Sequence, residues 1–174
     1  WSVALILVLV PVQATAEELV FRGAFMQSLG AWLGGARGSG VLGRFLRGPW
    51  IPIVVPSIIF GFAHIYDVWG WIAVVLLALV AGWLTWRTGG LEAAMSIHII
   101  NNWVAFGFMV LAVGGETKQT ETGAGLGSVI GEVVGLALYA WWVDRIFVRK
   151  GGPRTRIDLV QSRTGAVPVA AARA

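Results

Sequence analysis

Residues 1–35 read WSVALILVLVPVQATAEELVFRGAFMQSLGAWLGG, an apolar stretch into which Glu17, Glu18 and Arg22 are set. A membrane span takes roughly 20 apolar residues at about 1.5 Å each. The stretch is too long for one span. Pro11 is expected to interrupt it, so that the tail of one helix precedes a second that begins near Thr15. Charge inside such a segment is costly and is by default a sign of function.

Working outward, further apolar runs cover about 50–66, 69–86, 90–112 and 126–147. They predict an all-α fold, a polytopic transmembrane helix bundle. The first two runs are joined by ARGSGVLGRFLRG, rich in Gly and Arg, and the last two by the polar GGETKQTETGAG. From Arg149 the chain reads RKGGPRTRIDLVQSRTGAVPVAAARA and loses apolar periodicity. Residues 1–149 are therefore expected to form the membrane core, and 150–174 a disordered basic tail. A chain that starts at Trp1 inside an apolar run reads as a fragment lacking upstream helices. No internal repeat is evident.

Composition agrees. Hydrophobic residues make up 57% and charged residues 13%, with a mean hydropathy of +0.76; a soluble domain carries about 25% charged residues. Ten tryptophans and 24 glycines suit interfacial indoles and close helix contacts. The absence of cysteine excludes disulfides and thiolate metal sites. The net charge of +4 does not point to nucleic acid, because seven of the 13 basic residues fall at or after Arg145 and most others lie in short loops.

Those loop charges define an orientation. Arg37, Arg44 and Arg47 follow the first run, Arg87 the third, and Arg145, Arg149, Lys150, Arg154 and Arg156 the fifth. The alternate loops hold Asp67, or Glu116, Lys118 and Glu121. The positive-inside rule puts every Arg-bearing loop, and the tail, in the cytoplasm. Trp69 and Trp71 then mark the outer interface, and Trp83, Trp86, Trp141 and Trp142 the inner one.

Three local pairs carry candidate chemistry. In EELVFR, Glu18 and Arg22 stand at i, i+4 on one helix face and can pair. Glu17 is turned about 100° away, so one carboxylate can be held structurally while the other does proton work. The competing reading is an inert salt-bridge cluster. In FGFAH, Phe60 packs beside His64 at i, i+4 and restricts its rotamer; the competing reading is a histidine at the membrane rim, since Tyr66 and Asp67 follow. In HIINN, His98 and Asn102 share a face and form a donor pair able to bind an oxyanion. Its alternative is a polar contact between packed helices. Asn101 lies off that face. Together the pairs supply a carboxylate base, an imidazole beside a water, and oxyanion donors.

With these residues in view, the chain resembles the CAAX-protease and bacteriocin-processing (CPBP) family of intramembrane proteases, which is itself similar to the prenyl-protein endopeptidases of eukaryotes. EELVFR resembles its Glu-Glu-x-x-x-Arg motif, FGFAH its Phe-x-x-x-His motif and HIINN its His-x-x-x-Asn motif, in the family's order, over about Thr15 to Asn102. The resemblance implies an intramembrane polar cavity open to water. It implies that Glu17 and His64 activate water, that His98 and Asn102 stabilise the oxyanion, and that Glu18 and Arg22 support the geometry. Spacing alone leaves open which glutamate acts.

A metal is an open alternative. Glu17, His64 and His98 are a plausible zinc set, yet there is no HExxH, and a metal-free mechanism suits the same side chains. The expected partners are the lipid bilayer and a peptide or membrane-protein substrate, with no nucleic acid. The expected location is the plasma membrane of a bacterium. The competing functions are a non-catalytic immunity or scaffolding protein that binds a peptide or a membrane partner, and a proton-coupled transporter. Two glycine sets, Gly127/Gly131/Gly135 and Gly30/Gly34, predict close helix crossings. Glu132 is read as snorkelling, pairing or lining the cavity, and Glu92 as sitting at a helix start.

Overall fold

A computed structural model describes residues 1–34, 40–110 and 125–151. Among them every regular element is helical: α1 (Ser2–Glu18), a π-helical segment (Leu19–Phe25), α2 (Met26–Gly34), α3 (Gly40–Leu46), α4 (Trp50–Phe62), α5 (Val68–Thr88), α6 (Glu92–Val110) and α7 (Gly125–Arg149). The basic tail beyond Gly151 and the polar loop 111–124 lie outside the described residues, as does Arg37.

The first stretch departs from expectation. The chain does not break at Pro11 and no new helix begins near Thr15. Ser2–Gly34 forms one continuous apolar unit of 33 residues, with Pro11 inside α1. Lipid-embedded helices tolerate proline because neighbours re-satisfy the freed carbonyl. At about 50 Å the unit exceeds the hydrocarbon thickness. The irregularity comes instead at the π-helix directly after Glu18, and π turns inside α-helices favour functional sites.

Four helices are long and apolar enough to cross a membrane, and a fifth crossing arises if α3 and α4, bent by 50°, act as one broken span. Exposed Val3, Leu5, Leu7, Val8, Leu9 and Val12 on α1, and Ile130, Val134 and Leu138 on α7, would be untenable in water but suit lipid. The chain is an integral membrane protein in contact with membrane lipid. Its apolar core lies between α5, α6 and α7, where Leu77, Leu84, Ile97 and Leu136 are buried against Trp83, Tyr139 and Val143. Arg87 and Asp144 pair at 2.6 Å and tie the predicted cytoplasmic ends of α5 and α7.

Glycine placement corrects one expectation. A Cβ on Gly127, Gly131 or Gly135 would meet nothing within 4 Å. The stripe faces away from the described chain, because α7 packs through Val129 and Leu136. Gly34 is equally open, whereas Gly30 approaches Pro52 of α4, and a Cβ there would lie 3.6 Å from Pro52 Cγ. The tightest helix contact is at Gly61, where a Cβ would lie 2.5 Å from Val75 Cγ2 and 2.9 Å from Trp71 Nε1. There α4 and α5 nearly touch, which fixes the end of α4 that carries Phe60. Glu92 occupies the first turn of α6 as expected. Glu132 is half-buried and makes no hydrogen bond to another described residue.

Candidate active site

The π-helical segment begins immediately after Glu18 and carries Arg22 into the interior. Glu18, Arg22 and His98 have side-chain exposures of 0%, 2% and 2%. Arg22 Nη1 donates to Glu18 Oε1 at 2.9 Å, and its Nη2 donates to the carbonyl of Ala78 on α5 at 3.1 Å. The guanidinium also lies over the Phe60 ring, 4.8 Å from its centroid. A guanidinium fits this site better than an ammonium would, since its planar donors serve two acceptors while its face stacks.

His98, from α6, joins the same carboxylate. Its Nδ1 lies 2.7 Å from Glu18 Oε1. An ionised carboxylate only accepts, so Nδ1 carries the hydrogen. The other ring nitrogen, Nε2, lies 3.5 Å from Glu17 Oε2. The imidazole is thus hydrogen-bonded to Glu18 and lies near, without bonding to, Glu17.

Each glutamate keeps one oxygen in reserve. Glu17 Oε1 accepts from Gln13 Nε2 at 2.9 Å, and Glu18 Oε1 serves Arg22 and His98. Glu17 Oε2 and Glu18 Oε2 are buried with no hydrogen-bond partner among the described residues. Such atoms cost free energy unless something polar meets them. A water donating to these oxygens would be held beside His98.

His64 sits differently. α4 ends at Phe62, so His64 belongs to the turn that follows and is half-buried. Its Nδ1 lies 2.8 Å from the Phe60 carbonyl; a carbonyl only accepts, so Nδ1 donates and Nε2 takes no part in that bond. The predicted Phe60–His64 packing is present at 4.7 Å between centroids, and Phe60 meets His98 edge-on at 5.7 Å. Both imidazoles thus lean on one phenyl ring. Asn102 is half-buried, one turn beyond His98, and makes no hydrogen bond to another described residue.

The candidate zinc set Glu17, His64 and His98 is not gathered. Among the described residues no three His, Asp or Glu side chains are grouped as metal ligands. Glu18 Oε1 and His98 Nδ1 are engaged with each other, and Arg22 already supplies positive charge there. Among the described residues the three candidates therefore do not make up a ligand set.

Two partners were not anticipated. Gln13 stands at i, i+4 from Glu17, the same spacing that identified Glu18 and Arg22, so the signal was present. The Ala78 carbonyl carries no sequence signal.

Comparison with known proteins identifies relatives of the chain. The chain is 29% identical over 109 residues, 59% of its length, to the uncharacterised protein YyaK of Bacillus subtilis (strain 168). It spans about a third of that relative, 32% of whose length is aligned. No solved structure matches. Residues 1–104, which include every side chain of the cluster, match the family model described as type II CAAX prenyl endopeptidase Rce1-like. The chain belongs to the Rce1-like family of type II CAAX prenyl endopeptidases.

Proposed function

We propose that this protein is an intramembrane endopeptidase of the CAAX type, acting in a bacterial plasma membrane on a peptide or membrane-protein substrate. The observation that carries the reading is the pair of buried, unbonded oxygens, Glu17 Oε2 and Glu18 Oε2, beside one imidazole. A ready place for a polarised water inside the membrane is what peptide hydrolysis requires.

In this mechanism Glu17 Oε2 takes a proton from water while the water oxygen bonds to the peptide carbonyl carbon. Charge moves to the carbonyl oxygen. His98 Nε2–H donates to that oxyanion, its positive charge supported at Nδ1 by Glu18. Asn102, on the same face of α6, is the second donor. His64, with Nε2 as acceptor, assists in holding the water. The C–N bond then breaks, and the proton on Glu17 passes to the leaving amine. Arg22 neutralises Glu18 and fixes it against α5. No step passes through a metal.

The test is direct. The protein is purified in detergent and incubated with a peptide library, and products are read by mass spectrometry. Wild type is expected to cleave, with Glu17→Ala and His98→Ala each at least about a hundredfold slower. Cleavage by both variants at the wild-type rate would overturn the reading.

A further inference from the structure

The turn between α4 and α5 builds a feature that the buried cluster does not use. Phe62, His64, Tyr66, Asp67, Val68 and Trp71 line a cleft of about 400 Å³. Its rings stand in two touching pairs. Phe62 and Trp71 lie 5.4 Å apart, and His64 and Tyr66 stack at 5.9 Å, inclined by 18°. Asp67 is pinned as the N-cap of α5, where Oδ1 accepts from the Gly70 amide at 2.9 Å. From Trp50 to Trp86, Asp67 is the one Asp, Glu, Lys or Arg, and the cation on α5, Arg87, lies in its last turn, at the opposite end from Asp67, and pairs with Asp144.

Aromatic faces present negative charge density, and a fixed carboxylate adds a full charge. The combination recognises a cation carried on an apolar stem. His64 belongs both to this cleft and to the proposed machinery, so a peptide seated here passes the reacting groups.

We propose that the cleft is a substrate subsite for a cationic side chain, lysine or arginine, of the cleaved peptide. This rests on reading the protein as a peptidase. Asp67 supplies the charge, and Phe62 and Trp71 the apolar wall.

The experiment measures binding apart from cleavage. The full chain carrying Glu17→Gln, in dodecyl maltoside, is titrated against a fluorescein-labelled apolar nonapeptide with one central arginine, and against its citrulline twin of the same shape without charge. Fluorescence anisotropy gives both Kd values. The arginine peptide is expected to bind about tenfold tighter, the scale of a partly desolvated cation contact. Asp67→Asn keeps an N-cap acceptor, so the fold is retained. It should bring the ratio to about one while leaving the citrulline Kd unchanged. Phe62→Leu, at a ring 73% exposed, should lower the ratio about threefold. Equal Kd values with Asp67 present, or a preference that survives Asp67→Asn, would overturn the subsite. Wild-type protein that shows the preference yet never cleaves would retire the peptidase reading and leave the cation site standing. Cleavage without preference would do the reverse.

Discussion

His98 Nδ1 and Glu18 Oε1 lie 2.7 Å apart although 80 residues separate them in sequence. This bond joins α6 to the end of α1 and sets the two glutamates in different surroundings. Glu18 is wholly buried and committed to Arg22 and His98, whereas Glu17 is 25% exposed and is held at one oxygen by Gln13. The sequence pattern alone does not separate these roles; the geometry supports Glu17 as the free base and Glu18 as the counter-ion.

Removing one partner of the buried pair should cost far more than removing both. Glu18→Leu strands the Arg22 guanidinium and is expected to destabilise the protein by about 3–5 kcal/mol. The double variant Glu18→Leu/Arg22→Leu replaces charge with apolar volume and should recover most of that loss. It should not recover cleavage, because His98 then lacks the carboxylate at Nδ1. Thermal unfolding in detergent, set beside peptide turnover, separates the two effects. A double variant as unstable as the single one would contradict this account.

Gln13 should influence turnover through Glu17. Its amide fixes one carboxylate oxygen at 2.9 Å and so sets the direction of the other. Gln13→Leu keeps the helix propensity and the apolar surface. We expect kcat to fall about tenfold with KM unchanged, as for loss of one hydrogen bond to a charged group. A rise in KM at constant kcat would instead mark Gln13 as a substrate contact.

Much of the fold was legible because lipid imposes a simple demand: apolar length with every backbone group paired. The runs 69–86, 90–112 and 126–147 correspond to Val68–Thr88, Glu92–Val110 and Gly125–Arg149 within about two residues at each end. Pro11 misled because its usual effect, breaking a helix in water, is offset in a bilayer. The π-helix at Leu19–Phe25 has no compositional signature. In the site, Glu18 and Arg22 could be paired from local spacing, since a helix turn brings i and i+4 together. Which carboxylate meets which histidine is a matter of helix packing, and spacing along the chain does not show that His98 bonds to Glu18. His64 lies beyond the end of α4 and turns to the Phe60 carbonyl. The glycine stripe of α7 shows the same limit, since a pattern suited to packing does not say that a partner is present.

The α4–α5 crossing should tolerate no side chain at Gly61. A Cβ there would lie 2.5 Å from Val75 Cγ2 and 2.9 Å from the Trp71 indole nitrogen. Gly61→Ala should push the helices apart and destabilise by about 1–3 kcal/mol, the usual scale of overpacking. Phe60 adjoins Gly61 and touches Arg22, His64 and His98, so turnover should fall with stability. Gly131→Ala, where a Cβ meets nothing within 4 Å, is the control and should hold or slightly raise the melting temperature, since alanine favours the helix.

Chelation distinguishes the two ways a carboxylate and two histidines can activate water. A zinc enzyme needs three protein ligands and an open position. Here no three such ligands are grouped among the described residues. Base catalysis by Glu17 predicts that dialysis against EDTA or 1,10-phenanthroline leaves peptide turnover unchanged. It also predicts that Glu17→Asp retains a small residual rate, because the shorter side chain keeps the base but draws it back from the water. Loss of turnover on chelation, restored by added zinc, would mean that the helices rearrange around a metal and that Glu17 acts as its ligand. Measured zinc content of the active protein decides between these outcomes independently of rate: the glutamate-base mechanism requires well under one zinc per chain, and a metal centre requires close to one.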